Sequence, residues 1–120
     1  MATHNDFGKL GEKLAKSFLE KEGYEIVAEN WTFGKAEVDV IAYKDEQLIF
    51  VEVKTRSSNA FGEPEDFVGF SKQRLLERAA NGYIYKTNFN GEIRFDIVSI
   101  LFNREGGYQI RHIEDAFWPG

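Results

Sequence analysis

With 120 residues, 42% of them hydrophobic and 29% charged, the chain has the make-up of one compact soluble domain that buries a core without covalent staples. It contains no cysteine, which excludes disulfides and thiolate metal sites and fits a reducing cytoplasm. A formal net charge of −5 counts against binding nucleic acid through overall charge, although a local basic patch is compatible with it. No apolar run approaches the roughly 20 residues of a membrane helix. The opening "MATHNDFGKLGEK" lacks the apolar region of a signal peptide. The expectation is a cytoplasmic single domain over 1–120 with no membrane partner.

In chain order, residues 7–22 form the first predicted element. Phe7, Leu10, Leu14 and Phe18 recur at helical spacing among Lys9, Lys13, Lys16 and Lys21, and Gly23 supplies the stop. "YEIVAENWTF" suits a strand, followed by a turn at Gly34 and Lys35. Residues 36–43 and 47–55 suit two further strands joined by a hairpin at "KDEQ". The segment 57–66, "SSNAFGEPED", is the most loop-like. Ser71 is placed to cap a helix reaching about residue 86, with Leu75, Leu76, Ala79, Ala80 and Tyr83 on its apolar side and Gly82 as a weak point. "EIRFDIVSILF" is another strand, and "YQIRHIEDAF" a last strand or tail. The order helix, three strands, helix, one or two strands implies an α/β fold, a mixed sheet covered by helices on both faces.

The charges inside the hairpin set the functional question. "AEVDVIAYKDEQLIFVEVKTR" interrupts apolar strands with Glu37, Asp39, Glu52 and Lys54. Strict alternation puts Val38, Val40 and Ala42 on one face and Glu37, Asp39, Ile41 and Tyr43 on the other. On the next strand Ile49, Val51 and Val53 oppose Leu48, Phe50, Glu52 and Lys54. One register that matches the apolar faces sets Ile41 opposite Phe50, Asp39 opposite Glu52 and Glu37 opposite Lys54. Three carboxylates then converge with one ammonium. A salt bridge from Lys54 to Glu37 or Glu52 is the plain structural outcome. It leaves like charges within a few ångströms, however, which a hard divalent cation with oxygen ligands would neutralise directly. Charge count and spacing favour the metal site.

Asp39, a gap, and Glu52-Val53-Lys54 resemble the active-site motif of the PD-(D/E)xK nuclease superfamily. A wider pattern is more specific. "FGKLGEKLAKSFLEKEGYEIVAENW", "KAEVDVIAYKDEQLIFVEVKTR", "SKQRLLERAANGYI", "IRFDIVSI" and "HIEDAF" resemble, in order, the YraN-like family of small bacterial proteins, which is similar to archaeal Holliday junction resolvases. Val38 stands where the superfamily motif has proline, and Ala36 where the family usually has glycine. The resemblance implies a restriction-endonuclease-like three-layer α/β/α fold and metal-dependent phosphodiester hydrolysis. By that resemblance Asp39, Glu52 and the Val53 carbonyl bind Mg²⁺ or Mn²⁺, Lys54 positions the attacking water, and Glu12 is an additional acidic residue. The helical stripe Gly8, Gly11, Glu12, Ala15 and Leu19 would let the first helix approach the sheet, though Glu12 also reads as a solvated helix residue.

The partner implied is nucleic acid, with DNA first. Arg56, Lys72, Arg74 and Arg78 are the candidate contacts, the last two equally suited to a charged helix face. Phe61 fits either base stacking or a dimer contact, and a homodimer is compatible with the sequence. His4 and His112 read as isolated, and Arg94 with Asp96 as a structural ion pair. The competing class is a non-catalytic nucleic-acid-binding or dimeric scaffold protein retaining the nuclease fold.

Overall fold

A computed structural model describes residues 4–57 and 68–118, with side chains from residue 7 onward. Helix α1 (His4–Lys21) precedes strands β1 (Glu25–Phe33), β2 (Ala36–Lys44) and β3 (Gln47–Ser57); helix α2 (Phe70–Thr87) then leads to β4 (Glu92–Phe102) and β5 (Tyr108–Ile113). The expected loop lies outside the described residues apart from Ser57, and so does Phe61. The five strands form one sheet in sequential order. Every neighbouring pair is antiparallel except β3 and β4, which run parallel because the chain crosses over through α2 between them.

The helices cover opposite faces, giving the three-layer α/β/α arrangement. Ala15 and Leu19 of α1 pack with Val40, Ala42, Ile49, Val51, Val98 and Ile100. Leu76, Ala79 and Ala80 of α2 pack with Val38, Ile41, Leu48, Phe50, Phe95 and Ile97. Central strands β3 and β4 are buried on both sides, which is why they read as nearly unbroken apolar runs. Gly11 lies where α1 crosses Thr55: a Cβ there would collide with the threonine hydroxyl and sit 3.2 Å from its Cβ. The small residue therefore sets how closely the helix meets β3. Gly82 has the same role in α2, since a Cβ would fall within 2.9 Å of Phe33 ring atoms.

Turn chemistry follows the residues. Gly23 takes a left-handed φ of 92°, and Tyr24 N returns a hydrogen bond to Leu19 O at 3.0 Å, closing α1. Asp45 and Glu46 both have positive φ (52° and 64°) between the paired Lys44 and Gln47, the signature of a two-residue type I′ hairpin. At α2, Ser71 is inside the helix rather than its cap. The N-cap is Gly69, which has no side chain to cap with.

Two further corrections concern faces and partners. Strict alternation does not survive at the middle of β2. Val38 packs in the α2 layer and Val40, two residues on, in the α1 layer. The neighbouring strand reverses at the same level. Glu29 ion-pairs with Lys16 of α1, whereas the Trp31 indole donates to the Ala79 carbonyl of α2 at 3.1 Å. Between them Asn30 adopts a left-handed φ of 48°, opposite Asp39 by the flanking register. Asparagine tolerates that conformation, which reverses the faces of β1 between Glu29 and Trp31.

His112, which reads as isolated in sequence, is bound instead. Its Nε2 lies 2.7 Å from Asp96 Oδ2, and Arg94 grips the same carboxylate through two nitrogens at 2.8 Å each. The expected Arg94–Asp96 pair thus exists as part of a larger network that includes the Tyr24 hydroxyl and the Asp115 amide. Burial opposes ionisation of Asp96, but the hydrogen bonds from His112, Arg94 and Asp115 outweigh it and hold its pKa below the ordinary value.

Candidate active site

The β2–β3 ladder runs from Lys44↔Gln47 through Ile41↔Phe50 to Val40↔Val51, in the register that the apolar faces predict. Asp39 and Glu52, the next pair outward, are not ladder partners. Asp39 Oδ2 accepts a hydrogen bond from the Val53 amide at 2.8 Å, a side chain standing where a strand carbonyl would. This bond holds the two strand ends at the point where their backbone pairing stops. The face reversal beside Asn30 occurs at the same position, so Asp39 is placed by backbone irregularity rather than by alternation.

Glu52 lies one residue beyond the paired Val51 and is buried, 7% exposed. Its Oε2 ion-pairs with Lys72 Nζ at 3.1 Å, and Oε1 is enclosed without a hydrogen-bond partner among the described residues. Burial first, and then the charge and hydrogen bonding of Glu52, push the Asp39 pKa up to about 8. The carboxyls are therefore neighbours in a site where ionising both is unfavourable. With both ionised, neither can donate a hydrogen bond; a shared proton or a cation would relieve the pair.

Lys54 occupies the same face of β3 as Glu52 and is half-buried, level with Ser99 of β4. Arg56 follows on that face, also half-buried. Val53 points towards the α1 layer and gives its amide to Asp39. Glu12, next to the close contact at Gly11, is half-buried; burial raises its pKa, a hydrogen bond with Asn30 lowers it, and the charge of Glu37 raises it again. Its charge is also felt at Asp39. Glu12 is thus only partly withdrawn from solvent, and it is linked to Asp39 through charge. Glu37 is exposed and pairs in the ladder with Thr32, so the expected pairing with Lys54 across β3 is absent from the described ladder.

The candidate phosphate contacts separate. Lys72 reaches Glu52; burial, the largest single influence, lowers its pKa, but the charge and hydrogen bond of Glu52 together with the charges of Asp39 and Glu37 leave it raised. Arg74 is exposed and lies over the Phe70 ring at 5.5 Å, and Arg78 is exposed beside Arg74, Glu77 and Asn81 in a shallow concavity. Sequence reasoning missed Asn30, whose only signal was its tolerance of left-handed backbone, and missed the Lys72–Glu52 pair, which no local spacing encodes.

The donor set fits a hard divalent ion. Asp39 and Glu52 offer oxygen only, one buried carboxylate oxygen lacks a partner among the described residues, and ionising both carboxyls is unfavourable without a cation. Among the described residues no group of three His, Cys, Asp or Glu side chains gathers to hold an ion, so the protein's side-chain share would be these two carboxylates. Such a sparse set suits Mg²⁺, which keeps several waters.

The residues of this site fall within a recognised sequence pattern. A model of the uncharacterised protein family UPF0102 matches residues 11–100. The chain belongs to this family. It is the YraN family to which the sequence motifs point. A UPF0102 protein of Flavobacterium psychrophilum is 52% identical, with 98% of each chain covered. That of Bacteroides thetaiotaomicron is 41% identical over 99% of this chain and 98% of its own. A UPF0102 protein of Clostridium perfringens is 44% identical, with 95% of each chain covered. The UPF0102 match spans every candidate residue from Glu12 to Arg78. No helix among the described residues is long and apolar enough to cross a membrane.

Proposed function

We propose that this UPF0102 protein is a cytoplasmic, divalent-cation-dependent endonuclease that hydrolyses phosphodiester bonds in nucleic acid, with branched DNA the first substrate class to test. The observation that carries the reading is the pairing of half-buried Asp39 with buried Glu52, in which Glu52 Oε1 has no partner among the described residues and both carboxylates cannot comfortably ionise. Asp39, Glu52 and the Val53 carbonyl would hold Mg²⁺ or Mn²⁺. When bound, such an ion supplies Lewis acidity towards a phosphate oxygen and makes its water a better nucleophile.

The chain's own contributions follow from placement. Lys54, on the Glu52 face of β3, would orient the attacking water and offset charge developing on the phosphate. Glu12, electrostatically linked to Asp39, would extend the acidic cluster from the α1 side. Arg56, Lys72 and Arg74 would bind backbone phosphates, so affinity should fall steeply as salt rises. A homodimer would offer two such sites to the two strands of a junction, which sedimentation of the full chain tests.

The decisive experiment incubates purified protein with branched, flapped, single-stranded and duplex DNA and matching RNAs, with Mg²⁺ or EDTA. Cation-dependent cleavage lost in Asp39→Ala and Lys54→Ala is expected. Absence of cleavage, or equal cleavage by the variants, defeats the catalytic reading; tight binding without cleavage would favour a binding protein that retains the fold.

A further inference from the structure

Two lysines serve the site, and they arrive from different layers. Lys54 is fixed on β3, but Lys72 reaches Glu52 from the first turn of α2, its own side chain 50% exposed. Among the described residues Glu52 is therefore held asymmetrically: Oε2 by an ammonium on a long, half-solvated stem, Oε1 by no hydrogen bond. An ammonium at 3.1 Å partly neutralises the buried carboxylate. It would also repel a divalent ion bound to the same group, since like charges a few ångströms apart disfavour each other. The stem's exposure gives Lys72 somewhere to go, the solvent side of α2 where Arg74 is also exposed.

We propose that Lys72 is a displaceable counter-cation that couples cation loading to nucleic-acid binding, holding Glu52 before the ion arrives and turning to a backbone phosphate afterwards. The inference rests on Asp39 and Glu52 being the cation ligands. It makes Lys72 a positioning residue rather than a permanent member of a salt bridge. Linkage then requires that the cation and the nucleic acid each tighten the other by the same factor, part of it passing through this side chain.

The test uses the full chain and its Lys72→Gln and Lys72→Arg variants, none of which disturbs a core position. Mn²⁺ binding is measured by titration calorimetry without nucleic acid. Lys72→Gln should bind Mn²⁺ about fivefold more tightly than wild type, at the lower end of typical couplings, and Lys72→Arg should stay near wild type. Binding of a cleavage-resistant phosphorothioate oligonucleotide is then followed against salt, with Mn²⁺ or EDTA. Adding Mn²⁺ should steepen the salt dependence more in wild type than in Lys72→Gln, by about 0.7–0.9 in log–log slope, the equivalent of one phosphate contact. Unchanged or weaker Mn²⁺ binding by Lys72→Gln, or equal steepening in both proteins, overturns the proposal alone. A wild-type protein that binds no Mn²⁺ overturns the proposal and the cation-site reading beneath it.

Discussion

Asp39→Asn separates stability from function at the candidate site. In the folded chain the Asp39 pKa is pushed up from 3.8 to about 8 by burial and by Glu52. A carboxyl whose folded pKa is raised loses stability as pH climbs, because the folded state binds a proton that the unfolded state has released. Its penalty grows from about pH 4 to about pH 8 and is level above that. At pH 7 the gap from the ordinary value is roughly three pH units at about 1.4 kcal/mol each, or about 4 kcal/mol against folding. Asparagine removes the titration, and its amide oxygen can still accept the Val53 N–H bond that Asp39 accepts at 2.8 Å. Its amide nitrogen can also donate to Glu52. Allowing for imperfect geometry, we expect Asp39→Asn to stabilise the cation-free protein at pH 8 by about 2 kcal/mol, raising Tm by roughly 6–12 °C. Thermal unfolding in EDTA from pH 5 to 9 is the assay. Wild type should lose stability across that range more steeply than the variant, and Mg²⁺ should raise the Tm of wild type but not of Asp39→Asn. A variant less stable than wild type at pH 8 in EDTA would refute the reasoning, because it would mean the carboxylates are compatible neighbours.

Three further outcomes follow. Gly11→Ala should destabilise by about 1–3 kcal/mol in urea titrations, with Thr55→Ala recovering much of the loss, because the new methyl group meets the Thr55 side chain. Asp96 has a folded pKa below its ordinary value, so its contribution is complete above about pH 4 and disappears as pH falls through the folded pKa. Asp96→Asn should therefore flatten the acid limb of the stability profile and, at pH 7, cost about 3–5 kcal/mol by leaving Arg94 and His112 without their buried anion. Glu46→Gly should stabilise by about 1 kcal/mol, since Glu46 holds a left-handed φ of 64° that glycine adopts without strain; unchanged stability in chemical denaturation would count against the turn assignment.

Much of the architecture was legible because hydrophobic periodicity is a local property. The bounds of β4 match the expected 92–102, α1 ends at the expected glycine, and the β2–β3 register follows from matching Ile41 with Phe50. The same rule then failed where the site begins. Alternation assumes an unbroken extended backbone, and it fails level with Asp39: β1 turns at the left-handed Asn30, and on β2 Val38 and Val40 fall in different layers. At α2 Ser71 has the right chemistry for a cap, but the helix already begins at Phe70, with extended Gly69 as its N-cap.

The sequence by itself determined which carboxylates and lysines the hairpin carries, their approximate level along the strands, and membership of the UPF0102 family, because each is written in residue identity and short-range spacing. Only the tertiary structure decided what those charges touch. Lys72 is 20 residues beyond Glu52 in the chain yet lies 3.1 Å from it, because α2 folds back over the sheet. Asp96 gathers His112 and Arg94 into one network because β5 pairs beside β4. Burial, which raises the Asp39 pKa and leaves one Glu52 oxygen without a partner among the described residues, exists only once both helices enclose the sheet.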